Sequence, residues 1–255
     1  MRRIRQYVLD RFVLPRLDNE AGNRRLWDAY ARDWRRHDAY LDVDLVGAEA
    51  ADWRAEHVTF VGDEWGTPDD VERVLGDFVY PHLRDDLVVA EIGIGGGRIA
   101  SRIAPRVKEL WGFDISRRML DRARQSLAAH PNVRFVELEK ASLPEGLENR
   151  FGLVYSFDVF VHLDLHTQHR YLRQVHSLLE PGGRAVVHTA NLRAPRGWDR
   201  FASQPVPSIR GFYFVTPETV DLLAEKSGFV VDRRSEVDTE SFYYGRDYVV
   251  SLRKQ

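Results

Sequence analysis

The chain of 255 residues contains no cysteine. Disulfide bonds, thiolate nucleophiles and cysteine-ligated metal sites are therefore excluded. No stretch approaches the roughly 20 apolar residues that a helix needs to span a bilayer. The basic N-terminal stretch MRRIRQYVLDRFVLPRL lacks the unbroken apolar core and the cleavage site of a secretory signal. We expect it to be retained for packing or for a homodimer contact, and we expect a cytoplasmic protein without stable membrane insertion.

Neither sign of charge is in excess. The formal net charge is -2 at pH 7, which supplies no global field to hold a phosphate backbone, so no nucleic-acid partner is expected. Hydrophobic residues make up 44% and charged residues 30% of the chain, as in an ordinary globular protein. The length allows one large domain or a domain with an appendage, and we expect the second.

Residues 1–80 form the expected appendage, an N-terminal helical cap that serves as a lid or an oligomerisation segment. They are rich in arginine and tryptophan and lack strong strand signals. One helical face is predicted from four residues spaced three and four apart, namely Leu26, Trp27, Tyr30 and Trp34. Thr67 as N-cap and Pro68 at the first helical position predict the start of a further helix.

Residues 81–255 form the expected main domain, in which strands and helices alternate. The apolar run LVVAEIG does not alternate with polar residues, as is typical of a strand covered on both faces of a parallel sheet. The pattern predicts an α/β fold with a Rossmann-like, doubly wound, mostly parallel sheet. VVDRRSEV and DYVVSLRK are expected to close it as an antiparallel C-terminal edge hairpin. The long proline- and aromatic-bearing segment 191–215 is expected to be a substrate loop.

A glycine-rich turn follows the first predicted strand in VVAEIGIGGGRIA, Val88 to Ala100. Glycines at these positions let the backbone turn sharply and let a ligand approach closely. The dinucleotide fingerprint needs glycine at position 98 or 100, which are Arg98 and Ala100. A phosphate loop would need a Gly-Lys-Ser/Thr ending, which is missing. The spacing therefore argues against a phosphate-bearing nucleotide.

Three acids near this turn indicate another ligand. Glu91, within the strand end, suits a cationic group. Asp114 closes the second strand, where an acid can hold ribose hydroxyls. Glu139, after the third strand, can accept a hydrogen bond from the exocyclic amine of adenine. Together they fit S-adenosylmethionine, which has an adenine, a ribose, no phosphate and a positively charged amino-acid tail.

From Leu87 to about Arg253 the chain resembles the class I S-adenosylmethionine-dependent methyltransferases, in their small-molecule branch. VVAEIGIGGG, LWGFDIS, RFVELEKASLP and FGLVYSFDVFVHLD resemble their first four motifs, and LLEPGGRAVVHT with LLAEKSGF resembles their late turn and helix. Glu139 stands where the family commonly has aspartate. The resemblance implies that the cofactor is bound by Glu91, Gly93, Gly95, Gly97, Asp114, Ile115, Glu139 and Phe157.

Histidines and acids at the same sheet edge are candidates for catalysis. His162 follows the fourth strand. The unperturbed pKa of histidine lies near neutrality, which suits a general base that takes a proton from a hydroxyl acceptor. His188, at the end of the fifth strand, is expected beside the cofactor, and Arg98 either meets the cofactor carboxylate or is solvated. A divalent ion such as Mg²⁺ is one use of the nearby group Asp158, Asp164, His166 and His169. Asp164 fits equally as a helix N-cap.

The predicted function is methylation of a small molecule by S-adenosylmethionine, with O-methylation of a sugar or polyhydroxylated natural product favoured. N- or C-methylation of a small metabolite is an alternative. A non-catalytic S-adenosylmethionine-binding partner subunit is another. An aminopropyl transferase is a weaker match, because it would need paired acids after the fourth strand and Asp158 and Asp164 are six positions apart. The Asn/Asp-Pro-Pro-Tyr/Phe motif is missing, which disfavours DNA adenine and protein glutamine as acceptors. The acceptor atom, the metal requirement and the oligomeric state stay open.

Overall fold

The structure, a computed structural model, describes residues 19–34, 59–63, 66–204 and 212–255. The basic N-terminal stretch lies outside these ranges. The strands are β1 (Val88–Ile92), β2 (Glu109–Asp114), β3 (Val133–Glu137), β4 (Phe151–Ser156), β5 (Leu179–Asn191), β6 (Phe214–Val215), β7 (Phe229–Arg234) and β8 (Asp247–Lys254). The α-helices are α1 (Asn19–Asp33), α2 (Pro68–Phe78), α3 (Ala100–Ile103), α4 (Arg117–Ser126), α5 (Leu165–Leu178), α6 (Pro195–Ser203) and α7 (Pro217–Lys226). Short 3₁₀ turns span Tyr80–His82, Ala104–Arg106 and Phe160–His162.

All eight strands belong to one sheet, in the order β3-β2-β1-β4-β5-β8-β7, with β6 paired to β5. Strands β1 to β6 pair in parallel. β8 is antiparallel to both β5 and β7. The chain order reverses between β1 and β4, so the loops after these strands diverge and leave a crevice at the carboxyl edge. The predicted Rossmann-like sheet with an antiparallel C-terminal edge is confirmed.

The sheet is buried on both faces because its strands send apolar side chains alternately to two helical layers. Val89 of β1 packs in one core with α2, α3 and α4, whereas Ala90 and Ile92 pack in the other with α5 and α7. This explains why LVVAEIG is apolar without alternation. In the part of the chain that the structure describes, no helix is long and apolar enough to cross a membrane.

Two helices of the N-terminal region are described. α2 begins as predicted, since the Thr67 hydroxyl accepts from Asp70 N at 3.2 Å and the Asp70 carboxylate accepts from Thr67 N at 3.1 Å. α1 contains the predicted aromatic face, and its Tyr30 and Trp27 pack with Met119 of α4. α1 therefore lies at the carboxyl edge of the sheet, whereas α2 packs on one of its faces.

The segment 191–215 is not the plain loop that its composition predicted, because it contains α6 and β6. α6 lies very close to the sheet at Gly197, where a Cβ atom would stand 1.9 Å from the Asn191 carbonyl oxygen. Only glycine allows this approach. A second difference lies after the glycine turn, where the helix predicted from about Arg98 is only the short α3.

Candidate cofactor and acceptor site

A cavity lies at the carboxyl ends of β1, β2 and β4, beneath α1. It contains about 910 Å³ of atom-free space, including its open mouth. Seven of the predicted site residues line it: Glu91, Gly93, Gly95, Asp114, Ile115, Phe157 and His162. Residues separated by up to about seventy positions in sequence thus meet at the crevice that the strand order creates.

The glycine turn forms the floor of the cavity. Gly93 N and Ile94 N both donate to the Phe113 carbonyl, at 2.7 and 3.1 Å, which ties the turn to β2. Gly95 has φ +54°, and a Cβ atom placed on it would meet nothing within 4 Å. The space above Gly95 is therefore a cradle open to the cavity, as close approach of a ligand to backbone requires.

Asp114 ends β2 beside this turn. Its carboxylate accepts from Gly95 N at 2.9 Å and from Ser116 N at 2.8 Å, and only 6% of the residue is exposed. Burial raises the pKa of Asp114 to about 6, against the lowering effect of these two amide donors. A ligand hydroxyl that donates to the carboxylate would favour its charged form. The arrangement suits a ribose.

Glu91 lies inside the strand end and is 2% exposed. Tyr155 of β4 is its register neighbour and donates from its hydroxyl to Glu91 Oε2 at 2.8 Å. Burial raises the pKa of Glu91 well above its usual range, while the Tyr155 hydrogen bond opposes this shift. A cationic ligand in the cavity would offset the cost of the buried negative charge. Tyr155 carried no signal in the sequence.

The turn after β4 holds a buried polar chain. Asp158 has φ 56° and its carboxylate binds Arg98 Nη2 at 2.5 Å, so Arg98 lines the cavity as one half of an ion pair. Asp158 N donates to His188 Nδ1 at 3.0 Å, and His188 Nε2 lies 3.0 Å from Asp247 Oδ2. The His188 ring stacks on Phe157 with centroids 4.7 Å apart. His188 thus supports the cavity wall from behind.

His162 lies at the other end of the cavity and is 8% exposed. Its ring stands edge-to-face between Trp27 and Phe212, at centroid distances of 5.0 and 5.4 Å. Its carbonyl accepts from Asn19 Nδ2 at 3.1 Å and from Asn23 Nδ2 at 3.2 Å. The imidazole is therefore packed between two parts of the chain, α1 and the segment after α6, and α1 also binds the His162 main chain.

An aromatic series continues from Phe212 to the surface. Phe212 contacts Phe214, which contacts Phe201, which contacts Trp198, with centroids 5.9, 5.6 and 5.6 Å apart. Phe201 is 44% exposed and Trp198 is 54% exposed. We call the cavity wall at His162 and Trp27 the aromatic end, and the cavity wall at Glu91 and Asp114 the acidic end.

Two predicted cofactor residues do not line the cavity. Gly97 has φ +89° and is buried, and a Cβ atom there would stand 3.0 Å from Leu127, so this glycine serves the turn itself. Glu139 is exposed outside the cavity, and its main-chain carbonyl, not its carboxylate, faces inward to accept from Arg24. Leu138 and Ala141, which flank Glu139 in the sequence, line the cavity, and the adenine contact of Glu139 stays a prediction.

The group proposed for Mg²⁺ does not assemble, because its acids already have other partners. Asp158 binds Arg98, and Asp164 is the N-cap of α5, accepting from Thr167 N at 2.9 Å. His166 and His169 lie on the outer side of α5, away from the cavity. Among residues 19–34, 59–63, 66–204 and 212–255, no three metal-ligating side chains converge. The alternative N-cap role of Asp164 is the observed one.

Sequence reasoning missed the contribution of α1. Glu20, Asn23 and Trp27 line the cavity, as does Tyr171 of α5. Trp27 was predicted on one helical face of the expected cap or lid, but it was not named as a site residue. A helix 60 residues before the glycine turn carries no motif that points to a ligand, so only tertiary structure places it over the site.

Comparisons with known proteins agree with this geometry. The family model described as a methyltransferase domain matches residues 89–183. The CcbJ methyltransferase from Streptomyces caelestis is 28% identical and superimposes with a TM-score of 0.60, over 80% of this chain and 96% of that chain. The magnesium protoporphyrin IX methyltransferase from Synechocystis PCC 6803, solved with bound S-adenosylmethionine, is 20% identical with a TM-score of 0.64, over 94% and 98% of the two chains.

A third similar structure has a different name. The 4+2 cyclase SpnF is 17% identical with a TM-score of 0.59, over 74% of this chain and 83% of that chain. At this identity the likeness concerns the fold alone. A search of curated protein sequences finds no match.

Proposed function

We propose that the chain is a class I S-adenosylmethionine-dependent methyltransferase, as its methyltransferase-domain match and its structural neighbours support, and that it methylates a hydroxyl group of a small molecule, a sugar or a polyhydroxylated natural product. The observation that carries this proposal is one cavity with two different ends. Acids and a glycine cradle form one end, and a histidine set between aromatic rings forms the other.

The acidic end fits the cofactor. When bound, S-adenosylmethionine supplies a methyl group activated on a positively charged sulfur. Asp114 would accept from the ribose hydroxyls, and Gly95 would allow the ligand to lie against the backbone. Glu91 would offset the positive charge of the ligand from within the strand. Its neighbour Tyr155 keeps the carboxylate pointed in one direction.

The aromatic end fits the acceptor. His162 can take the proton from an acceptor hydroxyl on a ring nitrogen, because the unperturbed imidazole pKa lies near neutrality. Trp27 and Phe212 hold the ring in place and exclude water around it. Rings of this kind also pack well on the apolar faces of sugars and of other ring compounds.

The experiment that tests this proposal has two stages. Calorimetry with S-adenosylhomocysteine measures cofactor-site binding, and a panel of glycosides and polyhydroxylated ring compounds is then incubated with labelled S-adenosylmethionine, with and without a chelator. We expect a labelled ether product whose rate does not depend on the chelator. Label on nitrogen or carbon would support the alternative of N- or C-methylation, and cofactor binding without any product would support a non-catalytic binding subunit.

Substitution of His162 tests the base. In His162→Ala we expect turnover to fall by about 100-fold while S-adenosylhomocysteine affinity changes little, because a positioned general base contributes about this much. His166→Ala is the matched control, since His166 is exposed on α5. Turnover of His162→Ala equal to that of the control would exclude His162 as the base.

A further inference from the structure

We propose that Arg24 of α1 is a positioning residue of the cofactor site, which holds the two loops of the nucleoside wall in place. This inference rests on the proposed function. Its basis is a set of polar contacts that tie α1 to the main-chain walls of the cavity on both sides. Neither Arg24 nor α1 carries any sequence motif of a methyltransferase.

Arg24 binds the two loops that form the nucleoside wall. Its Nη1 donates to the Ile115 carbonyl at 2.8 Å, and its Nη2 donates to the Leu138 carbonyl at 2.7 Å and also to the Glu139 carbonyl. Ile115 and Leu138 line the cavity. One guanidinium thus holds the loop after β2 and the loop after β3 at a set separation. The five rigid N–H donors of arginine make such a clamp possible, whereas lysine has a single flexible point charge.

Asp28 extends the clamp by one turn of α1. Its Oδ1 accepts from the Ser116 hydroxyl at 2.7 Å and from Arg118 N at 3.3 Å, at the first turn of α4. Ser116 N in turn donates to the Asp114 carboxylate. Ser116 therefore links Asp28 to Asp114, which is the acid proposed to hold the ribose.

The opposite wall is tied to the same helix. Asn19 and Asn23 donate to the His162 carbonyl, in the turn after β4. Asn23 and Trp27 also line the cavity. α1 therefore spans the crevice from the nucleoside wall to the His162 wall and covers the space between them.

The neighbouring residue on α1 offers a matched control. Arg25 is exposed, whereas Arg24 reaches the loop carbonyls. Arg24→Met and Arg25→Met remove the same charge from the same helix, so any difference between them reports the clamp. Arg24→Lys keeps the charge but loses the fork geometry.

The test measures S-adenosylhomocysteine affinity by calorimetry, donor KM and kcat by turnover, and thermal unfolding without ligand. In Arg24→Met we expect Kd and donor KM to rise by about tenfold with kcat at saturating donor nearly unchanged, since charge-assisted hydrogen bonds to the walls are lost. The Kd and donor KM of Arg24→Lys should lie between those of the parent chain and those of Arg24→Met. Arg25→Met should have the same values as the parent chain. Asp28→Asn should also raise the Kd for S-adenosylhomocysteine. It replaces Arg24→Met as the test variant if Arg24→Met does not fold.

Three outcomes are distinguishable. If the parent chain does not bind S-adenosylhomocysteine, the proposed function fails. If it binds and Arg24→Met has the same Kd as Arg25→Met, the positioning role is overturned. A lower melting temperature of Arg24→Met with unchanged Kd would also overturn it, because that pattern describes a residue that serves packing alone.

Discussion

The two ends of the cavity are built in different ways. The acidic end comes from one continuous part of the chain, in which the glycine turn, Asp114 and the loop after β3 are joined by short hydrogen bonds between neighbouring strands. The aromatic end comes from α1, the turn after β4 and the residues that follow α6. The comparison teaches that the sheet and its loops supply the carboxylates of the acidic end, whereas the aromatic end also needs segments outside the sheet.

The largest effect that tests this comparison is expected for Asp114→Ala. The change removes the carboxylate that accepts from Gly95 N and is proposed to accept from the ribose. We expect S-adenosylhomocysteine affinity to fall by about 100-fold, the size of two charge-assisted hydrogen bonds. Calorimetry measures it. Unchanged affinity would mean that the acidic end does not hold the cofactor.

A middle-sized effect is expected from pH. The raised pKa of Asp114, about 6, means that this carboxyl takes up a proton as the pH falls through that value and then accepts hydrogen bonds less well. We expect S-adenosylhomocysteine affinity to be full at about pH 8 and about tenfold weaker at about pH 5.

The matched variant for this pH effect is Asp114→Asn, which cannot titrate. Its affinity should be weaker overall but should show a flatter profile over the same range. A profile as steep as that of the parent chain would assign the titration to another group.

The smallest effect is expected at the aromatic end. Phe201→Ala removes one exposed ring from the series that leads to Phe212. We expect the KM for the acceptor to rise by about threefold, the size of one ring contact, with cofactor affinity unchanged. Leu222→Ala on α7 is the control, since its side chain is 52% exposed outside the aromatic series. A change in cofactor affinity in Phe201→Ala would contradict the assignment of cofactor and acceptor to separate ends of the cavity.

Much of the acidic end could be predicted from the sequence, because its residues follow patterns that lie close together in the chain. The apolar run of β1, the glycine spacing after it and the acid at the end of β2 are all set within about 30 residues, and parallel strands bring their carboxyl ends together. The antiparallel pairing of β7 with β8 could be predicted equally well, because both strands are rich in residues with high β-propensity. Asp164 as an N-cap follows from the same local rules.

The contributions of α1 and of the loop after β3 could not be predicted in this way. Trp27 lines the cavity and Arg24 binds the loops of its wall only because α1 docks across the crevice, and no spacing in the sequence encodes that docking. Glu139 was predicted to contact adenine, and in the structure its side chain is exposed while its main-chain carbonyl accepts from Arg24. Asp158 was expected to be available to a metal, but a buried arginine neutralises it.

The position of β8 has a consequence for the synthesis of the protein. β8 fills the place between β5 and β7, so the long apolar edge of β5 has no antiparallel neighbour until residues 247–254 have been made. In an emerging chain this edge of β5 is therefore unpaired from the synthesis of residue 191 until that of residue 247, and an unpaired strand edge can associate with other chains. Protection of that nascent edge on the ribosome would favour the yield of folded protein.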